Sequence, residues 1–286
     1  MLEAVGDVYY EKKIAWERNM QTALTIAGSD SGAGAGIQAD LKTFHAHGVY
    51  GLTAITAVTV QNTQRVLGVQ EVDPEIVRDQ ILCLFEDFQI TALKIGMVFN
   101  KAIIEAILES LERVKPQNTV LDTVMVSKSG QSLLQEEARE TLVQRLLPRA
   151  DLITPNIPEA QFILGSKIES LEDMYSAARK LVSSGASRVI LKGGHLRLES
   201  GRARDIFYDG KEFLDLENSY INTRNTHGTG CTFSAALAAN LALGRDYIQA
   251  AKQSKKYITG ALSRSISLGD GHGPTNHFWE YSLGTG

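Results

Sequence analysis

Ala23-Leu24-Thr25-Ile26-Ala27-Gly28-Ser29-Asp30-Ser31-Gly32-Ala33-Gly34-Ala35-Gly36 joins an apolar run to a glycine-rich segment. Ile37, Leu41, Phe44 and Gly48 then come at helical spacing. Residues 23–27 read as a buried strand ending at glycine, the next segment as a turn, and the stretch from Ile37 as an amphipathic helix. The unit recurs. Residues 53–60, rich in β-branched side chains, read as a second strand. Asp73-Pro74 opens a helix with an apolar face of Ile76, Val77, Ile81, Leu84, Phe85 and Phe88.

Further along, residues 92–95 read as a strand, and Ile103, Ile104, Ile107, Leu108 and Leu111 mark a helix. A strand over 120–126 precedes a helix near 136–147 and a strand over 152–154. Ser170 and Asp173 form a capping box for a helix running through Leu181, and 189–191 is another buried strand. Repeated strand-then-helix order predicts an α/β fold, with a parallel sheet covered by helices on both faces. Residues 205–208 and 212–216, joined at Asp209-Gly210, read as a hairpin. Two long helices rich in small residues close the chain, near 229–243 and 247–266.

The chain has 286 residues, 43% of them hydrophobic, and a formal net charge of −4. This supports a large core and argues against broad electrostatic binding of nucleic acid or an anionic membrane. No apolar run is long enough for a transmembrane helix. Cys83 and Cys231 are the only cysteines, which excludes a disulfide framework and suits a reducing cytoplasm. Residues 1–19 carry mixed charges without the apolar segment of a secretory signal. They are expected to be an extension without a chemical role, and residues 20–286 a single domain.

The first glycine segment lies where open α/β sheets bind ligands, beyond a strand's carboxyl end. Gly32, Gly34 and Gly36 resemble a dinucleotide fingerprint, but Gln61 and Asn62 stand where a ribose-binding acid is required. Tight-turn geometry alone also explains it. The second segment, Asn225-Thr226-His227-Gly228-Thr229-Gly230-Cys231, runs directly into a helix. Its glycines expose backbone N–H groups at a positive helix terminus, a cradle for phosphate; an ordinary helix start is the plainer reading. No Walker A sequence is present. Cys231, in the first turn, is either a base or nucleophile favoured as thiolate, or a small packed residue.

The motifs together resemble one family. Ala23 to Asp30, Gly34 to Phe44, Gln61-Asn62-Thr63, Lys94-Ile95-Gly96-Met97, Leu121-Asp122-Thr123-Val124-Met125-Val126 with Lys128-Ser129-Gly130, Ile153-Thr154-Pro155-Asn156-Ile157-Pro158-Glu159-Ala160, Lys192-Gly193-Gly194-His195 and Asn225 to Cys231 occur in its order. Residues 22–282 are similar to bacterial hydroxymethylpyrimidine/phosphomethylpyrimidine kinases of the ribokinase-like superfamily. The resemblance implies a central, mostly parallel sheet flanked by helices, a homodimer, and phosphorylation of a hydroxymethylpyrimidine, then of its monophosphate, for thiamine synthesis. ATP and Mg²⁺ are the implied cofactors.

The resemblance also implies roles. Cys231 would accept the hydroxyl proton, and Gly228 and Gly230 would stabilise the transferring phosphoryl group. Gln61 would bind the aminopyrimidine, Asp40 and Gly28 the hydroxymethyl end, and Met97 the ring face. Lys192, Asn156, Thr226 and Thr229 would hold the nucleotide phosphates, and Glu159 and Asp122 would serve Mg²⁺ through waters. His195 and His227 would be turn or hydrogen-bonding residues. Two departures stand out: Ser31 and Thr123 each occupy a position where many relatives carry proline. Neither is expected to touch a proposed reacting group. A pyridoxal or pyridoxine kinase is the nearest alternative, and a non-catalytic binding protein on the same fold a more distant one.

Overall fold

A computed structural model of the chain describes residues 20–125, 133–194 and 202–281. Residues 1–19, Val126, Lys128-Ser129-Gly130 and His195 lie outside the described residues. The order is β1 (Thr22–Asp30), α1 (Gly36–Ala46), β2 (Tyr50–Gln61), β3 (Val66–Glu71), α2 (Pro74–Asp87), β4 (Ile90–Ile95), α3 (Lys101–Val114), β5 (Thr119–Leu121) and α4 (Glu136–Thr141). Then come β6 (Leu152–Ile153), α5 (Ile157–Leu164), α6 (Leu171–Ser183), β7 (Val189–Lys192), β8 (Arg202–Tyr208), β9 (Phe213–Ser219), α7 (Thr229–Ala242) and α8 (Tyr247–Ser263).

All strands join one sheet in the order β3-β2-β1-β4-β5-β6-β7-β8-β9. Neighbours from β2 to β7 are parallel, whereas β3, β8 and β9 run antiparallel to the strands they join or to each other. Side chains alternate along each strand, so the sheet buries two separate cores. Leu24, Ile26, Leu93, Ile95, Leu121 and Leu191 face α2 to α6. Ala23, Ala92, Val120, Leu152 and Ile190 face α1, α7 and α8. Nearly every residue of α7 is buried, which its small side chains permit. Helices therefore cover both faces, as the alternation of strands and helices implied.

Local chemistry sets the helix starts. Asp73 accepts the Glu75 N–H ahead of Pro74, Asn100 accepts the Ile103 N–H, and Ser170 and Asp173 complete their capping box. Departures from the expected boundaries have tertiary causes. β1 continues past Gly28 to Asp30, and its register on β2 shifts between Ala27 and Ser29. The glycine thus marks a bulge rather than a strand end. β3 was not anticipated: interrupted by Gly68, it is held by pairing along the projecting end of β2. β5 ends at Leu121, not near residue 126, because Asp122 turns its carboxylate to Thr154 and Lys192. After α4 the helix widens into a π turn over Leu142–Leu146 and ends in a 3₁₀ turn.

Candidate active site

The two glycine segments interlock backbone to backbone. Gly228 caps α7 in the left-handed region (φ 76°), and a Cβ there would overlap the Gly34 carbonyl oxygen. Gly36 is also left-handed, and its Cβ would overlap the Gly28 carbonyl oxygen. Asp30 organises the first segment. Its Oδ1 accepts the Gly32 N–H at 2.8 Å, and its Oδ2 accepts those of Gly34 at 3.0 Å and Ala35 at 2.8 Å. His227 Nε2 reaches Oδ2 at 2.8 Å. Burial pushes the Asp30 carboxyl up, but His227 and the backbone donors outweigh it and hold it below the usual range.

Lys192, at the end of β7, places Nζ 3.0 Å from Asp122 Oδ1, which also accepts the Thr154 hydroxyl at 3.0 Å. Ser234, on α7, reaches Asp122 Oδ2 at 3.3 Å. A Cβ on Gly230 would lie 3.4 Å from that oxygen and 3.5 Å from Lys192 Nζ. The first turn of α7 therefore lies directly over the pair, so free N–H groups and an ammonium converge on one spot. Burial pulls Lys192 down, but Asp122 and Glu159 hold it above its ordinary value. Burial likewise pushes Asp122 up, but Lys192 and Lys94 bring it below the usual carboxylate range. Thr229 donates its hydroxyl to the Thr226 carbonyl at 2.7 Å, closing the turn before the helix.

Asn156 and Glu159 form a reciprocal cap at the start of α5. Glu159 Oε2 accepts both the Asn156 N–H at 2.9 Å and the Thr123 hydroxyl at 3.0 Å. Burial pushes its carboxyl up. Among the described residues no group of three or more His, Cys, Asp or Glu could hold a metal ion. This donor set does not form an all-protein cage, but it fits a hydrated Mg²⁺ shared with phosphate oxygens.

Cys231 sits in the first turn of α7 near Lys94, Asp40 and Asp122, with the Gly36 N–H directed at its sulfur. Asp40, on α1, is fully buried; its Oδ2 accepts Thr25 Oγ1 at 2.6 Å and Lys94 Nζ at 2.8 Å. Its Oδ1 has no hydrogen-bond partner among the described residues. Burial would pull Lys94 down, but Asp40, Cys231 and Asp122 hold its ammonium well above the ordinary range. The Cys231 thiol is pushed up to about 11, chiefly by burial and also by both carboxylates, against Lys94 and the Gly36 N–H. Of the two sequence readings, resting thiolate or small packed thiol, the burial favours the thiol: without ligands, desolvation outweighs the helix terminus.

Met97 comes just after β4, and a Cβ on Gly28 would lie 3.0 Å from its sulfur, so the two form one wall. Gln61 ends β2. Its backbone exchanges two hydrogen bonds with Ser31 Oγ, at 2.8 and 2.9 Å, and its side-chain amide lies 3.1 Å from His227 Nε2. Both departures touch candidate binding residues, Ser31 the Gln61 backbone and Thr123 the Glu159 carboxylate, and neither bonds to Cys231. Proline could not supply either hydroxyl. Lys94, Asp30 and Ser234 also belong to this cluster and were not singled out from the sequence. The signal for Lys94 was its place in the strand-like run Ala92-Leu93-Lys94-Ile95, where a buried charge requires a partner.

Residues 30–276 match the family described as phosphomethylpyrimidine kinase. The hydroxymethylpyrimidine/phosphomethylpyrimidine kinase of Bacillus subtilis is 47% identical over 256 residues, covering 90% of this chain and 94% of that one. A chloroplastic thiamine biosynthetic bifunctional enzyme of Arabidopsis thaliana is 44% identical over 92% of this chain and 51% of its own length. Among solved structures, an ADP complex of Bacillus subtilis pyridoxal kinase superposes with a TM-score of 0.85 at 39% identity, covering 92% of this chain and 99% of that one. With the ordered motifs gathered at one end of the sheet and the match spanning most of the sequence, the chain belongs to the phosphomethylpyrimidine kinase family.

Proposed function

We propose that the chain transfers the γ-phosphoryl group of ATP to the hydroxymethyl oxygen of 4-amino-5-hydroxymethyl-2-methylpyrimidine, and then phosphorylates the monophosphate to the diphosphate, in thiamine biosynthesis. One observation carries this reading. Gly228 packs on Gly34, which sets the glycine-rich start of α7 directly against the loop bearing Gln61's contacts.

In this reading the N–H groups of Gly228, Gly230 and Cys231, with Lys192, Asn156, Thr226 and Thr229, bind the phosphates and stabilise charge on the transferring group. Glu159 and Asp122 would hold Mg²⁺, which when bound would supply positive charge to neutralise the phosphates. Gln61 pairs with the aminopyrimidine edge, Met97 packs the ring, and Asp40 and the Gly28 backbone serve the hydroxymethyl end. The hydroxyl oxygen bonds to the γ-phosphorus as its bond to the ADP oxygen breaks, and the hydroxyl proton passes to the Cys231 sulfur in its thiolate form. Because the resting thiol is pushed up to about 11, kcat/KM should rise with pH between 7 and 9. A flat profile would assign the proton to another acceptor.

The decisive experiment incubates the chain with Mg·ATP and hydroxymethylpyrimidine, its monophosphate or pyridoxal, resolving products by phosphorus NMR. Preference for hydroxymethylpyrimidine and appearance of its diphosphate support the proposal. Preference for pyridoxal supports the second reading, which the structural likeness to a pyridoxal kinase favours. The proposal extends to residues 20–286 acting as one unit in a cytoplasmic homodimer. Val58 and Val60, 47% and 58% exposed on the projecting end of β2, support the dimer. V58K/V60K should then sediment as a monomer. No described helix is long and apolar enough to cross a membrane.

A further inference from the structure

Gln61 is held at two points. Ser31 fixes its backbone at the end of β2, and its amide, placed with the nitrogen Nε2 inward, meets His227 Nε2 at 3.1 Å. The same nitrogen lies 2.8 Å from Asp30 Oδ2. Asp30 already accepts three backbone N–H groups, from Gly32, Gly34 and Ala35, so it is an ionised acceptor. His227 Nε2 must then carry a proton and donate it. An unprotonated nitrogen would set its lone pair against the carboxylate at 2.8 Å.

This settles the amide. A donating Nε2 cannot accept from the Gln61 NH₂ group, and the two ends of an amide are told apart only by their hydrogen bonds. The Gln61 oxygen therefore faces His227 and shares its N–H, keeping one lone pair free, while the NH₂ group turns away. Room for rotation of the imidazole is small, because Gly34 packs against it so closely that a Cβ there would overlap the ring.

We propose that the Asp30–His227 pair is a specificity-positioning device that fixes which end of the Gln61 amide accepts and which donates. The locked amide accepts from an exocyclic amino group and donates to the neighbouring ring nitrogen. A ring with an oxo group and a protonated nitrogen presents the reverse order and is refused. This inference rests on the proposed role of Gln61 in binding the pyrimidine.

The test compares kcat/KM for 4-amino-5-hydroxymethyl-2-methylpyrimidine with that for its 4-oxo analogue, in wild type, H227L, H227Q and Q61A. The ratio of the two substrates on one preparation cancels any difference in active fraction. H227L should lower the amino/oxo ratio at least tenfold, since the freed amide can turn over. H227Q, which keeps a donor near the Nε2 position, should restore most of it, and H227L added to Q61A should change nothing further. An unchanged ratio in H227L overturns the lock. An unchanged ratio in Q61A overturns the role of Gln61 itself. If H227L turns over too slowly to assay, the same ratio is read from dissociation constants by calorimetry.

Discussion

The buried pair of Lys94 and Asp40 makes a quantitative test of how this site is held. Both side chains are fully excluded from solvent, and Nζ stands 2.8 Å from Oδ2. Replacing Lys94 by methionine keeps the volume but leaves Asp40 with the Thr25 hydroxyl as its remaining donor and Oδ1 still unpartnered. Breaking a buried pair in this way costs about 3–5 kcal/mol. At roughly 2–4 °C per kcal/mol for a chain of this size class, melting should fall on the order of 10 °C. The loss should also depend on pH. Burial already raises the Asp40 carboxyl, and without Lys94 it rises further. A carboxyl whose folded value exceeds its unfolded one favours the folded state when protonated, so stability falls as pH climbs through that window. The gap between K94M and wild type should therefore widen from pH 5 to pH 8 in thermal melts. The double variant K94M/D40L should recover most of the loss, because two apolar residues need no partner. Melting of K94M within 2 °C of wild type (roughly 1 kcal/mol) across that range, or no recovery in the double variant, would refute the reasoning.

In a Cys83→Ser background, alkylation of Cys231 by iodoacetamide should accelerate about tenfold per pH unit from pH 7 and level near 11, the value to which its thiol is pushed; a rate independent of pH would contradict the burial argument. G230A should fold with nearly unchanged stability, because its Cβ meets Asp122 and Lys192 at ordinary contact distances, yet lose turnover by crowding the phosphate site. G228A should lose both stability and activity, having neither space nor a compatible φ; equal melting temperatures for the two variants would be inconsistent with this packing. T123V removes the hydroxyl donor to Glu159 and should raise the Mg²⁺ concentration for half-maximal rate several-fold, with KM for ATP little changed at saturating Mg²⁺. An unaltered Mg²⁺ titration would separate Thr123 from the metal site.

Reading the residues in order was enough to recover the parallel core of the sheet and most helices. Those features depend on near neighbours: apolar runs fit buried strands, and Asp73, Asn100 and Ser170 satisfy N–H groups two or three residues away. The ordered motifs likewise marked the residues that gather beyond the carboxyl ends of the strands. Features that depend on distant partners were not legible. β3 is a strand because β2 projects beside it, and β5 stops early because Asp122 serves Lys192 seventy positions away.

The opening stretch shows the division most clearly. Its glycine spacing indicated a loop that could hold a ligand, and its apolar run a buried strand. Only the fold decided that Gly34 would support Gly228, that Asp30 would meet His227 across 197 positions, and that Cys231 would lie between a lysine and two carboxylates. The residue types and their local order were determined by the sequence alone. The hydrogen-bond direction of Gln61 and the protonation of Cys231 were decided by tertiary structure, because both depend on charges and dipoles that only the packed sheet brings within a few ångströms.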